Sequence, residues 1–96
     1  MPVDVVDDPE RSRFEVRLDG EVAGFAEYRL LPSKIVFTHA EVLPEHQGRG
    51  LAGRLVKHAL DASREAGLRV VPLCPYVASW IKRHSDYHDL VDESTG

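Results

Sequence analysis

Cysteine is almost missing from this chain: Cys74 is the single one among 96 residues, so no internal disulfide can form, in keeping with a reducing compartment. Long apolar runs are missing as well. Nothing approaches the roughly 18 consecutive apolar residues of a membrane span, and Met1-Pro2-Val3-Asp4 has neither the basic nor the apolar region of a signal peptide. The expectation is a cytoplasmic protein with no membrane partner. Positive charge is scarce: 12 Lys and Arg stand against 16 Asp and Glu, a net charge of -4, the wrong sign for binding nucleic acid through its phosphates. Such a surface is better suited to cationic small molecules or Lys-rich segments. Metal-ligand clusters are lacking too, since His84 and His88 lie four apart without a third ligand at suitable spacing, and no metal is expected. Ser12, Ser63 and Ser79 have no recognisable base and orienting carboxylate, which gives a serine-nucleophile hydrolase no support.

What is present is ordinary globular material. A composition 43% hydrophobic and 29% charged excludes wholesale disorder, and 96 residues suffice for one domain with a modest core. Residues 1–12 gather Asp4, Asp7, Asp8, Glu10 and Arg11 around little apolar material and are expected to form a flexible arm. From Arg13 the chain alternates, with Phe14, Val16 and Leu18 against Glu15 and Arg17, until Asp19-Gly20 supplies a hairpin turn. A second strand is expected over 22–31 and, after Pro32-Ser33, a third over 34–43. Beyond Pro44 the period lengthens. Leu51, Leu55, Val56, Ala59, Leu60 and Ala66 form one stripe, which predicts a helix over 50–66 ended by Gly67. Residues 68–73 read as a further strand, with Pro72 putting its end at an edge or a splay. Val77, Ala78, Trp80 and Ile81 mark a shorter helix over 76–84, and 92–96 is expected as a flexible tail. The folded unit is then 13–91, with order β-β-β-α-β-α: an α+β domain whose mainly antiparallel sheet has helices packed on it.

The sharpest local feature is Val42-Leu43-Pro44-Glu45-His46-Gln47-Gly48-Arg49-Gly50-Leu51-Ala52, where a strand ends, a glycine-containing loop follows and an amphipathic helix begins. Glycines let a backbone turn tightly and approach a phosphate, while the first N–H groups of the helix and its dipole attract an anion. Arg49 adds a fork of donors. The Lys-Ser/Thr of a P-loop and the third glycine of a dinucleotide fingerprint are absent, which argues against ATP and NAD. A plain glycine-rich turn explains the same residues and stays open.

Gln47-Gly48-Arg49-Gly50-Leu51-Ala52 matches the Q/R-x-x-G-x-G/A signature of the GNAT-type N-acetyltransferases, and Glu41-Val42-Leu43-Pro44-Glu45 is similar to the strand that precedes it. Cys74-Pro75-Tyr76-Val77, with Trp80-Ile81 and His84-Ser85-Asp86-Tyr87, resembles the minimal branch of that superfamily, and the resemblance runs from about Phe14 to Val91. It implies transfer of an acetyl group from acetyl-CoA to a primary amine, such as a protein lysine. It also implies that the pyrophosphate rests on the N–H groups of Gln47, Gly48, Arg49, Gly50, Leu51 and Ala52. The pantetheine arm would pair with Val42 and Leu43, with Tyr76 also in the cofactor set. Pairing of that kind needs the strand over 68–73 to splay away.

Amine acylation needs a base, and His39 and Glu41 lie two apart on one strand face, where Glu41 can orient His39. A polar pair on a solvated sheet face is the plainer reading. In larger relatives the basic residues of this strand match Val36 or Thr38, which regular alternation places on the opposite face. Cys74 would end the splaying strand, beside the N-terminus of the next helix, and is a candidate acyl carrier or a small buried hydrophobe. The tyrosine that many family members use to reprotonate the thiol of coenzyme A aligns with Ile81, leaving Cys74 or Tyr76 as substitutes. Val77, Trp80 and Ile81 either line the pantetheine groove or pack in the core. His46 either touches a phosphate or sits exposed in the turn. The resemblance leaves two alternatives to catalysis: a module that binds coenzyme A without turnover, and an interaction domain with an unused loop.

Overall fold

Asp19 and Gly20 both take positive φ, 49° and 84°, the type I′ geometry whose twist matches a hairpin, and they join β2 (Arg13–Leu18) to β3 (Glu21–Leu30). The structure, a computed structural model, describes residues 2–92. Leu31 and Lys34 exchange backbone hydrogen bonds across the next turn, which leads into β4 (Lys34–Val42). After a short 3-10 turn, Pro44–His46, the chain forms α1 (Leu51–Glu65), crosses to β5 (Arg69–Pro72), and continues as α2 (Pro75–Arg83) and a 3-10 turn over Ser85–Leu90. β5 pairs parallel to β4, and α1 is the crossover that a parallel pair requires. From Arg13 onward the expected order and α+β class are what the structure has.

Both expected ends differ. Residues 3–8, expected as part of an arm, form a further strand, β1 (Val3–Asp8), antiparallel to β2 from Val3↔Leu18 to Asp8↔Arg13. The reason is alternation beneath the acidic charge: Val3 and Val5 pack against the core, and Asp7 accepts a 2.6 Å hydrogen bond from the Tyr28 hydroxyl. At the other end Asp92 is buried. Its amide donates to Val70 O at 2.9 Å and its carboxylate meets Lys34 Nζ at 2.8 Å. The rest of the expected tail, 93–96, lies outside the described residues.

α1 buries Leu51, Leu55, Val56, Ala59, Leu60 and Ser63 against the sheet, and Ala66, expected in that stripe, is its exposed C-cap. Gly67 at φ 73° ends it: Gly67 N bonds Arg64 O and Leu68 N bonds Ser63 O, the paired bonds of a Schellman cap. Phe14, Val16, Tyr28, Ile35 and Phe37 line the sheet face beneath α1, with Val77, Trp80 and Ile81 of α2 in the same core. Burial of each such side chain contributes roughly 1.5–3 kcal/mol. No helix among the described residues is long and apolar enough to cross a membrane.

Candidate active site

Two irregularities at the middle of β4 make the site. Tyr28 pairs with Phe37 while Glu27 pairs with His39, so Thr38 is an extra residue, a β-bulge. β5 leaves at the same level: its pairing with β4 ends at Phe37↔Pro72, and Cys74 N donates to Phe37 O at 2.9 Å before Pro75 opens α2. β4 runs on through Val42 without β5 beside it. Leu43 N is spent on Ala23 O at 2.8 Å, so by alternation Ala40 and Val42 turn their backbone groups to the side that β5 has left. The expected splay is present.

The bulge also decides which face His39 occupies. Ile35 and Phe37 point into the core; beyond Thr38 the parity changes, and Ala40 and Val42 lie towards the core instead. His39 and Glu41 therefore share the opposite face with Val36, because their cross-strand partners Glu27, Phe25 and Arg29 all lie across the sheet from Tyr28. Strict alternation separates Val36 from His39; the bulge reunites them.

A cavity of about 290 Å³ fills the split on the core side. β4 gives it Ala40, Glu41 and Val42; the loop gives His46, Gln47, Gly48 and Gly50; α1 gives Leu51, Ala52, Gly53, Leu55 and Val56; α2 gives Tyr76. Gly48 and Gly50 have φ of 84° and 73°, a left-handed region that disfavours side chains, and Gly50 caps α1. The first turn of α1 has no acidic residue and no side-chain cap, leaving its N–H groups to an outside acceptor. Gln47 Nε2 donates to Val42 O at 3.1 Å and ties the loop to the strand edge. Arg49 and Leu43, both expected in the cofactor set, do not line the cavity. Gly24 was not singled out in the sequence, yet a Cβ there would stand 2.7 Å from Glu41 O; a lone glycine inside a strand is the signal that could have found it.

His39 Nε2 and Glu41 Oε1 lie 2.9 Å apart, both well exposed, so the structure brings this pair together. Behind them the face is tightly knit. The ring of Phe25 is 6.1 Å from that of His39, the Arg13 guanidinium sits 4.6 Å over Phe25, and Arg13 and Arg17 both hold the carboxylate of Glu15. Glu15 is only 1% exposed. Burial pushes its carboxyl up, but the hydrogen bonds and charges of Arg17 and Arg13 outweigh that and hold it below the usual carboxylate range.

Cys74 is 3% exposed, packs in the core and does not line the cavity. Val77, Trp80 and Ile81 are core residues, absent from the cavity lining. His84 and His88 do not pair with each other: Nδ1 of one bonds Trp80 O at 2.7 Å, and Nε2 of the other bonds Ile81 O at 2.9 Å, capping the end of α2. His46 lines the cavity, and its Nδ1 is buried without a hydrogen-bond partner among the described residues.

Comparison with known proteins places this split strand and glycine-capped helix N-terminus in a family. The profile of the GCN5-related N-acetyl-transferase family matches residues 13–90, and the chain belongs to that family. It is 34% identical to protein NATD1 of Mus musculus over 85 residues, 86% of this chain and 77% of that one. Streptothricin acetyltransferase of Streptomyces lavendulae is 36% identical over 63 residues, 64% of this chain and 33% of its own. The solution structure of a GCN5-like putative N-acetyltransferase from Staphylococcus aureus superposes with a TM-score of 0.70 at 19% identity, covering 93% of this chain and 87% of the other, and so shares the fold.

Proposed function

We propose that this protein transfers an acetyl group from acetyl-CoA to a primary amine that approaches the His39–Glu41 face. The observation that carries this reading is convergence: the widowed edge of β4 and the N-terminus of α1, which no side chain caps, meet in one cavity. The chain's own groups fit the cosubstrate. The α1 N–H groups and the loop at Gly48 and Gly50 suit a pyrophosphate, Ala40 and Val42 suit an amide-bearing pantetheine arm, and the orphaned His46 Nδ1 offers a further polar contact. Bound there, acetyl-CoA supplies an activated thioester.

His39 takes the proton from the incoming ammonium and Glu41 orients its ring. The open setting of that pair suits an extended amine, a protein lysine before an enclosed metabolite. In this reading Tyr76, which lines the cavity from α2, returns a proton, whereas Ile81, at the usual tyrosine position, is buried in the core. Cys74 is proposed as part of the wall at the split. Its burial favours direct transfer over an acyl-cysteine.

The test is thermal unfolding with and without acetyl-CoA, followed by an assay with lysine peptides. A ligand at a hundredfold excess over its Kd stabilises the folded state by about 2.7 kcal/mol, which in a domain this small raises the midpoint by on the order of 10 °C. No shift at millimolar ligand removes the reading. A shift without turnover of any amine leaves a non-catalytic coenzyme A module.

A further inference from the structure

On the sheet face away from α1, three strands set their side chains in two rows. Arg13 of β2, Glu27 of β3 and His39 of β4 are successive cross-strand partners, and so are Glu15, Phe25 and Glu41. Along the outer strands, neighbours two residues apart are bonded: Arg13 to Glu15 at 2.9 Å on β2, and His39 to Glu41 at 2.9 Å on β4. Glu27, between Arg13 and His39, forms an ion pair with neither. Phe25 is what joins the two pairs. Its ring lies 6.1 Å from that of His39, tilted by 57°, within the range of an aromatic contact, and the Arg13 guanidinium lies 4.6 Å over it.

The two pairs are held with unequal firmness. Glu15 is buried, takes both Nε and Nη2 of Arg13 on one oxygen, and takes Arg17 on the other. That fixes the plane of the Arg13 fork, and with it the half-buried ring of Phe25. His39 and Glu41 are 53% and 46% exposed, and a bond between two side chains in water leaves them free to swing together. Glu41 therefore settles which nitrogen acts, but not where the ring stands. A carboxylate only accepts, so in the neutral imidazole Nε2 carries the proton shared with Glu41 and Nδ1 keeps the lone pair. Nδ1 adjoins the carbon that joins the ring to its stem, so rotation about that bond decides whether it faces an amine or the sheet.

We propose that Phe25 is the positioning residue of the His39 base: steadied by Arg13, which Glu15 holds, it sets the ring plane that aims Nδ1 at the incoming amine. The inference rests on the acetyl-transfer reading above. Phe25 does not line the cavity proposed for acetyl-CoA and acts only through His39. A displacement of about 1 Å in a reacting group costs on the order of a hundredfold in rate, so a ring left to swing lowers kcat while both substrates still bind.

Two readouts on the whole chain test it: initial rates with acetyl-CoA and a lysine peptide, and the His39 imidazole signals in proton–nitrogen NMR spectra, assigned by their loss in His39→Gln. The wild-type neutral ring is expected to carry its proton on Nε2. Phe25→Leu should displace the His39 ring-proton signals and lower kcat on the order of ten- to a hundredfold, with KM for both substrates changed less than about twofold. Phe25→Tyr should restore signals and rate together. Where Phe25→Leu does not fold, Arg13→Lys carries the same readouts, since it keeps a cation for Glu15 and loses the flat fork over Phe25. Unmoved signals, a proton on Nδ1 or an unchanged kcat overturns the positioning role, and a raised peptide KM at constant kcat makes Phe25 a contact of the acceptor instead. A wild type that acetylates no amine removes the acetyl-transfer reading itself, and the positioning role falls with it.

Discussion

Glu15 is a buried carboxylate on the strand face away from α1, held at 2.9 Å and 2.7 Å by two guanidiniums that are themselves partly in water. Because its folded value is depressed, its stabilisation is complete above the ordinary carboxylate value, about 4.3, and is lost as pH falls through the lower folded value. Glu15→Gln is expected to lower stability at pH 7 by about 2 kcal/mol, less than the 3–5 kcal/mol of fully buried pairs, and to flatten the acid limb of a stability profile measured by urea unfolding. An unchanged acid limb would place the pH sensitivity elsewhere. His39 answers to a different measurement. His39→Ala should reduce kcat/KM by a factor on the order of 10² to 10⁴ while leaving the acetyl-CoA thermal shift intact, and Glu41→Gln should reduce it less. Loss of the shift in these variants would make the pair a binding element.

Gly24 shows how one missing side chain governs an element. It pairs with Val42, and a Cβ there would also stand 3.1 Å from Val42 Cα, so Gly24→Ala must push the cavity edge of β4 outward. The expected cost is about 1–3 kcal/mol in chemical denaturation, with weaker acetyl-CoA binding; retention of both would mean that β4 yields freely. Most elements were legible because their apolar periods are clean: Phe14, Val16 and Leu18 for β2, and the Leu51 to Leu60 stripe for α1. β1 was hidden because Asp4, Asp7 and Asp8 mask the alternation of Val3 and Val5. The bulge was hidden for another reason: Thr38 is as good a strand former as its neighbours, and only pairing with β3 reveals that it has no partner.

At the scale of the molecule, the glycine loop and the His39–Glu41 contact could be read from the chain because each depends on local spacing. Burial of Cys74 and of the apolar cavity wall could not, since both arise when α1 and α2 close over β4 from distant positions. Local spacing also could not say that the cavity and the His39–Glu41 pair lie on opposite sides of one sheet. With Cys74 closed off, initial-rate plots at several fixed acetyl-CoA concentrations are expected to intersect, and intact-mass analysis after incubation with acetyl-CoA alone should find no acylated chain. Parallel lines with an acylated protein would instead establish a two-step exchange through the thiol.

The split lies beside Thr38, with the cavity on the core side of the sheet and the His39 and Glu41 side chains on the opposite face. Two reactants that arrive through opposite doors do not have to queue. On the proposed reading either reactant is expected to bind first and either product to depart first, so that slow release of a bulky acceptor would leave exchange of the thioester partner unimpeded.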